Sequence, residues 1–159
     1  MLLIHRLFIK TALIWLLLGA AAGGWMLLGQ AGVVPPPRWN LYTIHIHWLG
    51  IGFFLNMVFG VALWMFPRRS GESRQTAARD PLAWAAYLLL SVGLAVRSAA
   101  LLFPSLLGSL VLAASAFLQV GGILAFTLAI WPRIYLPGAG LPGAGMPRAG
   151  ISKITPAEK

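Results

Sequence analysis

Cysteine is absent from this 159-residue chain, and acidic residues are almost as scarce. Without thiolates the chain cannot form disulfides, iron–sulfur clusters, thiolate metal sites or covalently attached c-type haem. The three acidic residues are Glu72, Asp80 and Glu158, and none lies inside a long apolar stretch. Proton relays and ion-coupled carriers usually need an intramembrane carboxylate, so the sequence argues against a pump or a secondary transporter. Paired carboxylates and a Ser–His–Asp set are also missing, which argues against a hydrolase.

What the chain has in abundance is apolar sequence. It is 59% hydrophobic and 9% charged, with a mean hydropathy of +0.83, which is typical of an integral membrane protein. A bilayer core of about 30 Å needs about 20 apolar helical residues. Four stretches reach that length, at about 7–29, 41–66, 82–103 and 106–131. We therefore predict an all-α fold, an integral membrane four-helix bundle in residues 1–133, with a Gly/Pro-rich tail in 134–159.

Local signals support these limits. Asp80-Pro81 is a helix-start signal before the third stretch. Pro104 and Ser105 predict a tight turn between the third and fourth stretches, which makes those two helices antiparallel neighbours. The first stretch could be misread as a signal peptide because of its small residues, but its apolar run is too long, and we expect a retained helix. The tail repeat, "LPGAGLPGAGMPRAG", favours a disordered tail or an arm lying on a neighbouring subunit.

Basic residues predict the orientation. Ten of the twelve lie on one side of the predicted membrane, while Arg38 lies on the other and Arg97 falls within a span. The positive-inside rule then places both termini in the cytoplasm and the protein in the cell inner membrane as a multi-pass protein. The net charge of +9 is explained by topology and by contact with anionic lipid, so we expect the lipid bilayer and no nucleic acid as a partner.

Two histidines near the start of the second span carry most of the functional signal. His45 and His47 are two residues apart, about 200° around a helix, so their rings should point to opposite sides. His45 shares a small, partly polar face with Gly52 and Asn56, where something bulky or another helix could approach. His47 shares a bulkier apolar face that suits lipid, a haem edge or a subunit contact. Both histidines could instead be interfacial residues, since they lie near the end of the span.

The remaining polar residues of the spans have structural alternatives too. Asn56 and Gln119 could hydrogen-bond between helices. Arg97 could extend its charged group to the membrane surface. His5, at the other end of the first span, is expected to be interfacial. One further interpretation is a copper or zinc site at the outer membrane face, formed by His45 and His47 together with Met26.

The stretch "HIHWLGIGFFLNMVFGVALWMFP", residues 45–67, resembles one helix of the haem–copper oxidase and nitric oxide reductase catalytic subunit (cytochrome c oxidase subunit I-like). In that family a His-x-His near the outer end of a helix carries two haems on opposite faces, followed by glycines and an aromatic end that closes with proline. The resemblance implies a short four-helix relative with a haem b ligand at His45 or His47. The further histidines that bind copper in the family are missing, so copper is not implied, and oxygen reduction by this chain alone is not expected.

If haem binds, the resemblance implies several partners. Arg97 and Arg38 are candidates for the propionates by depth and charge. The sixth position could stay open, be filled by Met26, or take a histidine from a second copy in a homo-oligomer. The function implied is respiratory electron transfer or binding of a diatomic gas such as NO or O2. A non-catalytic accessory subunit of a larger oxidase or nitric oxide reductase is the alternative.

Overall fold

A computed structural model describes residues 2–37, 40–67 and 73–134, and every regular element in those ranges is helical. Four of the helices are long and apolar enough to cross a membrane, which confirms the helical membrane class. The predicted tail lies outside the described residues apart from Ile134. The same holds for Arg38 and for the two arginines after Pro67.

The first span is helix α1, Leu3–Gln30, which begins four residues before its predicted start. It ends where Gly32 adopts a positive φ of 72°, a conformation that glycine tolerates without cost. Three prolines follow, Pro35, Pro36 and Pro37, and they keep the connection to the next helix extended.

The second span is continuous from Leu41 to Met65 but is not a uniform α-helix. It consists of α2, Leu41–His47, a π-helical segment, Trp48–Leu55, and α3, Asn56–Met65. Asn40 caps its start, since the side-chain oxygen accepts a hydrogen bond from the Thr43 amide at 3.1 Å. Phe66 leaves the helix in an extended conformation, as expected for a residue that precedes proline.

A short helix α4, Arg74–Ala78, leads to the second pair of spans, α5, Pro81–Leu102, and α6, Pro104–Ile130. The predicted start at Asp80 is confirmed, because its carboxylate accepts the Leu82 amide at 3.0 Å. Pro104 opens α6, which confirms the predicted tight turn. Gly108, with φ 66° and ψ 177°, interrupts α6 after its first turn, and a 3₁₀ turn, Trp131–Arg133, follows its end.

The four spans pack as two antiparallel hairpins. In the second hairpin α5 and α6 approach closely at Gly93 and Gly122, where an added Cβ would lie 2.9 Å from Leu118 and 2.8 Å from Leu90. The predicted antiparallel neighbours are therefore confirmed. The hairpins join through Phe59 of α3, whose ring stacks on Phe126 of α6 with centroids 3.5 Å apart. A hydrogen bond of 2.8 Å between Thr11 and Tyr87 links α1 to α5.

Large apolar side chains cover the outside of the bundle. Leu106, Leu110 and Phe117 of α6 are 80%, 84% and 79% exposed, which suits a lipid environment. We call the two ends of the bundle the His-x-His end, at residues 30–41 and 102–104, and the termini end, at Leu3, Met65, Pro81 and Arg133. Which end faces the cytoplasm stays a prediction from the basic residues.

Candidate functional site

His45 is bound to the neighbouring helix. Its Nδ1 lies 2.8 Å from the carbonyl oxygen of Gly19 in α1. Because a carbonyl can only accept, Nδ1 carries the ring proton, and Nε2 of the neutral ring keeps its lone pair. A Cβ added to Gly23 would lie 2.8 Å from Cε1 of the same ring. Glycine at that position leaves the room in which the imidazole lies.

Small residues on α1 explain this close packing. Gly19 and Gly23 are four residues apart, so they share one face of the helix and let the second span approach. A Cβ on Gly19 would lie 2.5 Å from the Leu49 side chain. Farther along the second span, a Cβ on Gly60 would lie 2.8 Å from Phe8 of α1. The face predicted to admit a bulky group or another helix is therefore occupied by α1.

His47 has a different environment. Its Nδ1 lies 2.7 Å from the Thr43 carbonyl oxygen one turn earlier in its own helix, so Nδ1 again carries the proton. The ring is half-buried. One turn farther along, Ile51 is partly buried and packs against the hydrophobic core, whereas Ile46, Phe54 and Val58 are 44%, 63% and 41% exposed. The π-helical segment begins after His47 and includes Phe54, and it changes the helical register, so the face predicted from α-helical spacing does not carry over from His47 to Phe54.

Arg97 lies at the depth of His47 but on another side of α5. The Trp48 indole N–H donates to Ser98 Oγ at 2.8 Å. His47 and Arg97, which directly precede these two residues, therefore lie at about the same depth in the bundle. Ser98 therefore faces the second span. Arg97 is four residues after Gly93, whose position contacts α6, so it belongs to the α6 side of its helix. Its Nε is buried and has no hydrogen-bond partner among the described residues.

Met26 is half-buried and lies three residues beyond Gly23, which places it on the same face of α1, one turn nearer the His-x-His end. It therefore belongs with His45 rather than with His47. Arg38 lies outside the described residues.

Gly52 and Asn56 have packing roles. A Cβ at Gly52 would lie 2.6 Å from Trp15 and 2.9 Å from Leu94, so the glycine lets three helices meet. Asn56 is fully buried, and its Nδ2 donates to the Ile51 carbonyl oxygen at 2.9 Å. That bond lies where the π-helical segment ends, and it supplies a donor to a carbonyl of the widened turn. Asn56 thus acts within its own span, not between helices as the sequence had suggested.

Sequence reasoning missed a buried ion pair at the termini end. Arg133 Nη2 lies 2.8 Å from Asp80 Oδ2, and the two side chains are only 3% and 2% exposed. His5 of α1 is also buried nearby, with its Nδ1 unpaired, and the charge of Arg133 acts on it. The sequence had placed both charged residues in cytoplasmic segments and His5 at the interface. The sequence did contain a signal for this pair, because Asp80 begins one helix of the second hairpin and Arg133 directly follows the other.

The described residues contain no group of three or more His, Cys, Asp or Glu side chains that could hold a metal ion. The fold and the composition define a helical, multi-pass membrane protein. Comparison with protein-family models, with curated proteins and with solved structures finds no match for the chain. The oxidase resemblance therefore depends on residues 45–67 alone.

Proposed function

We propose that the chain is a haem b-binding protein of the cell inner membrane, with both termini cytoplasmic, acting in respiratory electron transfer or diatomic-gas binding. The observation that carries this proposal is the state of His47. Its Nδ1–H is held by the Thr43 carbonyl, which leaves Nε2 as the ring nitrogen for a ligand, and the ring is half-buried. A histidine that ligates a metal typically has this arrangement, with the second nitrogen donating to a backbone carbonyl.

The residues around His47 fit a haem better than those around His45. A flat macrocycle at His45 would need α1 to separate from the second span, because Gly19 and Gly23 lie against Leu49 and the His45 ring. At His47 the Thr43 carbonyl fixes the tautomer and orients the ring. When bound, the haem supplies an iron that changes its redox state or binds a gas.

Were haem bound at His47, Met26 would not supply a ligand to it, since Met26 lies on the His45 side of the second span. A gas or a residue of a second copy of the chain would then be the remaining ligand. A homo-oligomer with haem at its interface would cover the apolar face of Phe54, Val58 and Met65, which is exposed in one copy.

A second candidate is a non-catalytic accessory subunit of a terminal oxidase or nitric oxide reductase. The observation that favours it is the bond from His45 to Gly19, because it gives that histidine a structural role without any cofactor. Binding of copper or zinc by His45 is a third candidate, and the position of Met26 on the adjacent turn of α1 favours it. A thioether and an imidazole are ligands that suit copper.

The test is the visible spectrum of the protein purified in mild detergent from cells supplied with haem, oxidised, reduced with dithionite, and then exposed to carbon monoxide. We expect a Soret band that is lost in His47→Ala and retained in His45→Ala. A reduced spectrum that shifts with carbon monoxide would assign an open sixth position, and one that does not shift would assign two axial ligands. A wild-type protein without a Soret band would overturn the proposal and favour the accessory subunit. Copper or zinc bound to a colourless protein, and lost in His45→Ala, would favour the metal site.

A further inference from the structure

We propose that Arg97 and the cleft beside it form a binding site for an anionic phospholipid, in the leaflet at the His-x-His end. The phosphodiester would pair with the guanidinium, and an acyl chain would lie in the cleft. This inference does not depend on haem, because it uses neither histidine.

Arg97 lies within a membrane span, and its positive charge is not paired with a carboxylate among the described residues. Its Nε is buried without a hydrogen-bond partner among the described residues. Asp80 is the one carboxylate in the described ranges, and it is bonded to Arg133. It precedes Arg97 by 17 positions along α5, about 26 Å at 1.5 Å per residue. A charged side chain within a span is costly unless it is paired, so Arg97 needs an anion that these parts of the chain do not supply.

Arg97 also lies close to the His-x-His end of its helix. It lies five residues before Leu102, the last residue of α5, and therefore about 8 Å inside the His-x-His end of the helix. A guanidinium at that depth is within reach of the headgroup layer when its side chain extends toward the surface. Guanidinium and phosphate groups also match in geometry, since two parallel N–H donors can meet two phosphate oxygens.

A cleft lies about one helical turn beyond Arg97, and its lining on α5 begins at Ala100. It has a volume of about 540 Å³ and lies between the C-terminal end of α5, the first turns of α6 and the start of α2. The lining includes Ala100, Leu101, Leu112, Gly108, Ser109 and Asn40. Ala100 and Leu101 are three and four residues after Arg97, so they share its face one turn closer to the membrane surface. The cleft therefore combines an apolar wall with a polar rim at the end where lipid headgroups lie.

The break in α6 accounts for the cleft. Gly108 leaves the helical conformation with φ 66° and ψ 177°, so the first turn of α6 does not continue the axis of the rest. On the inner side of the break, α6 packs on α5 through Gly93 and Gly122. On the outer side, Leu106 is 80% exposed. The cleft lies at this break, between the end of α5 and the first turns of α6.

The experiment is native mass spectrometry of the full-length protein with added phosphatidylglycerol, compared with phosphatidylcholine of the same acyl chains. We expect one phosphatidylglycerol to bind more tightly than any phosphatidylcholine. Arg97→Gln should weaken this binding about tenfold or more, as expected for loss of a charge-assisted hydrogen bond. Arg97→Lys should retain part of the affinity. Lys10→Gln is the matched control, since Lys10 is an exposed basic residue in the first span near the termini end.

A second variant tests the cleft with the charge left in place. Ser109 is exposed on the cleft wall, so Ser109→Phe should fill the cleft without disturbing the core and should also release the lipid. This variant decides the matter if Arg97→Gln fails to fold. Equal binding of phosphatidylglycerol by the wild type, Arg97→Gln and Ser109→Phe would overturn the proposal. Displacement of the lipid by inorganic phosphate at millimolar concentration would also overturn it, by assigning Arg97 to a free anion.

Discussion

Replacing Asp80 with asparagine should destabilise the protein strongly, although the two side chains have almost the same shape. The Asp80 carboxylate accepts a hydrogen bond from the Leu82 amide at 3.0 Å and forms an ion pair with Arg133 at 2.8 Å. Asparagine is as good an N-cap as aspartate, so the first contact should survive. The ion pair loses the negative charge of the carboxylate. The guanidinium of Arg133, which is only 3% exposed, is then buried without that counter-charge. Breaking a buried pair in this way costs about 3–5 kcal/mol.

The assay is the free energy of unfolding in mixed micelles titrated with SDS, for Asp80→Asn, Arg133→Gln and the double variant. We expect the double variant to lose less stability than the sum of the two single variants, because it leaves no unpaired buried charge. Ser73→Ala, which removes the side-chain cap of α4, is the control and should cost about 1 kcal/mol or less. A loss below about 1 kcal/mol for Asp80→Asn, or strict additivity in the double variant, would refute the reasoning.

Two further predictions concern the spans themselves. Gly122→Ala should lower the free energy of unfolding by about 1–2 kcal/mol, since the added Cβ would lie 2.8 Å from the Leu90 side chain. Gly121→Ala is the control and should be neutral or stabilising in the same SDS titration, because its nearest neighbour would be 3.6 Å away. Trp48→Phe and Ser98→Ala should each cost about 1 kcal/mol through the hydrogen bond of 2.8 Å that joins the hairpins, and their effects should not add; full additivity would show that the bond contributes nothing.

The number and limits of the membrane helices could be predicted from the sequence, because they depend on local composition and on residues at helix ends. Apolar length marked all four spans, and Asp80 and Pro104 marked two starts correctly within a few residues. The early start of α1 was missed because Ile4 and His5 are buried by tertiary packing, which a hydropathy pattern does not record. The π-helical segment was missed because its signal, the bond from Asn56 to Ile51, depends on widened backbone geometry.

The candidate site was only partly accessible to sequence reasoning. The sequence identified His45 and His47 as the notable polar residues and separated their faces from helix geometry alone. It did not reveal which of the two faces the neighbouring helix covers. That depends on Gly19 and Gly23 of α1, which pack against the second span although they precede His45 by more than twenty residues.

The sequence by itself determined that this is a four-span helical membrane protein with histidines at one end, since hydropathy and helix-end signals act over neighbouring residues. The tertiary structure alone decided that His45 bonds to Gly19 and that Asp80 pairs with Arg133. These contacts join residues far apart in the chain. They follow from how closely glycine-containing faces allow the helices to approach, which a one-dimensional pattern does not record.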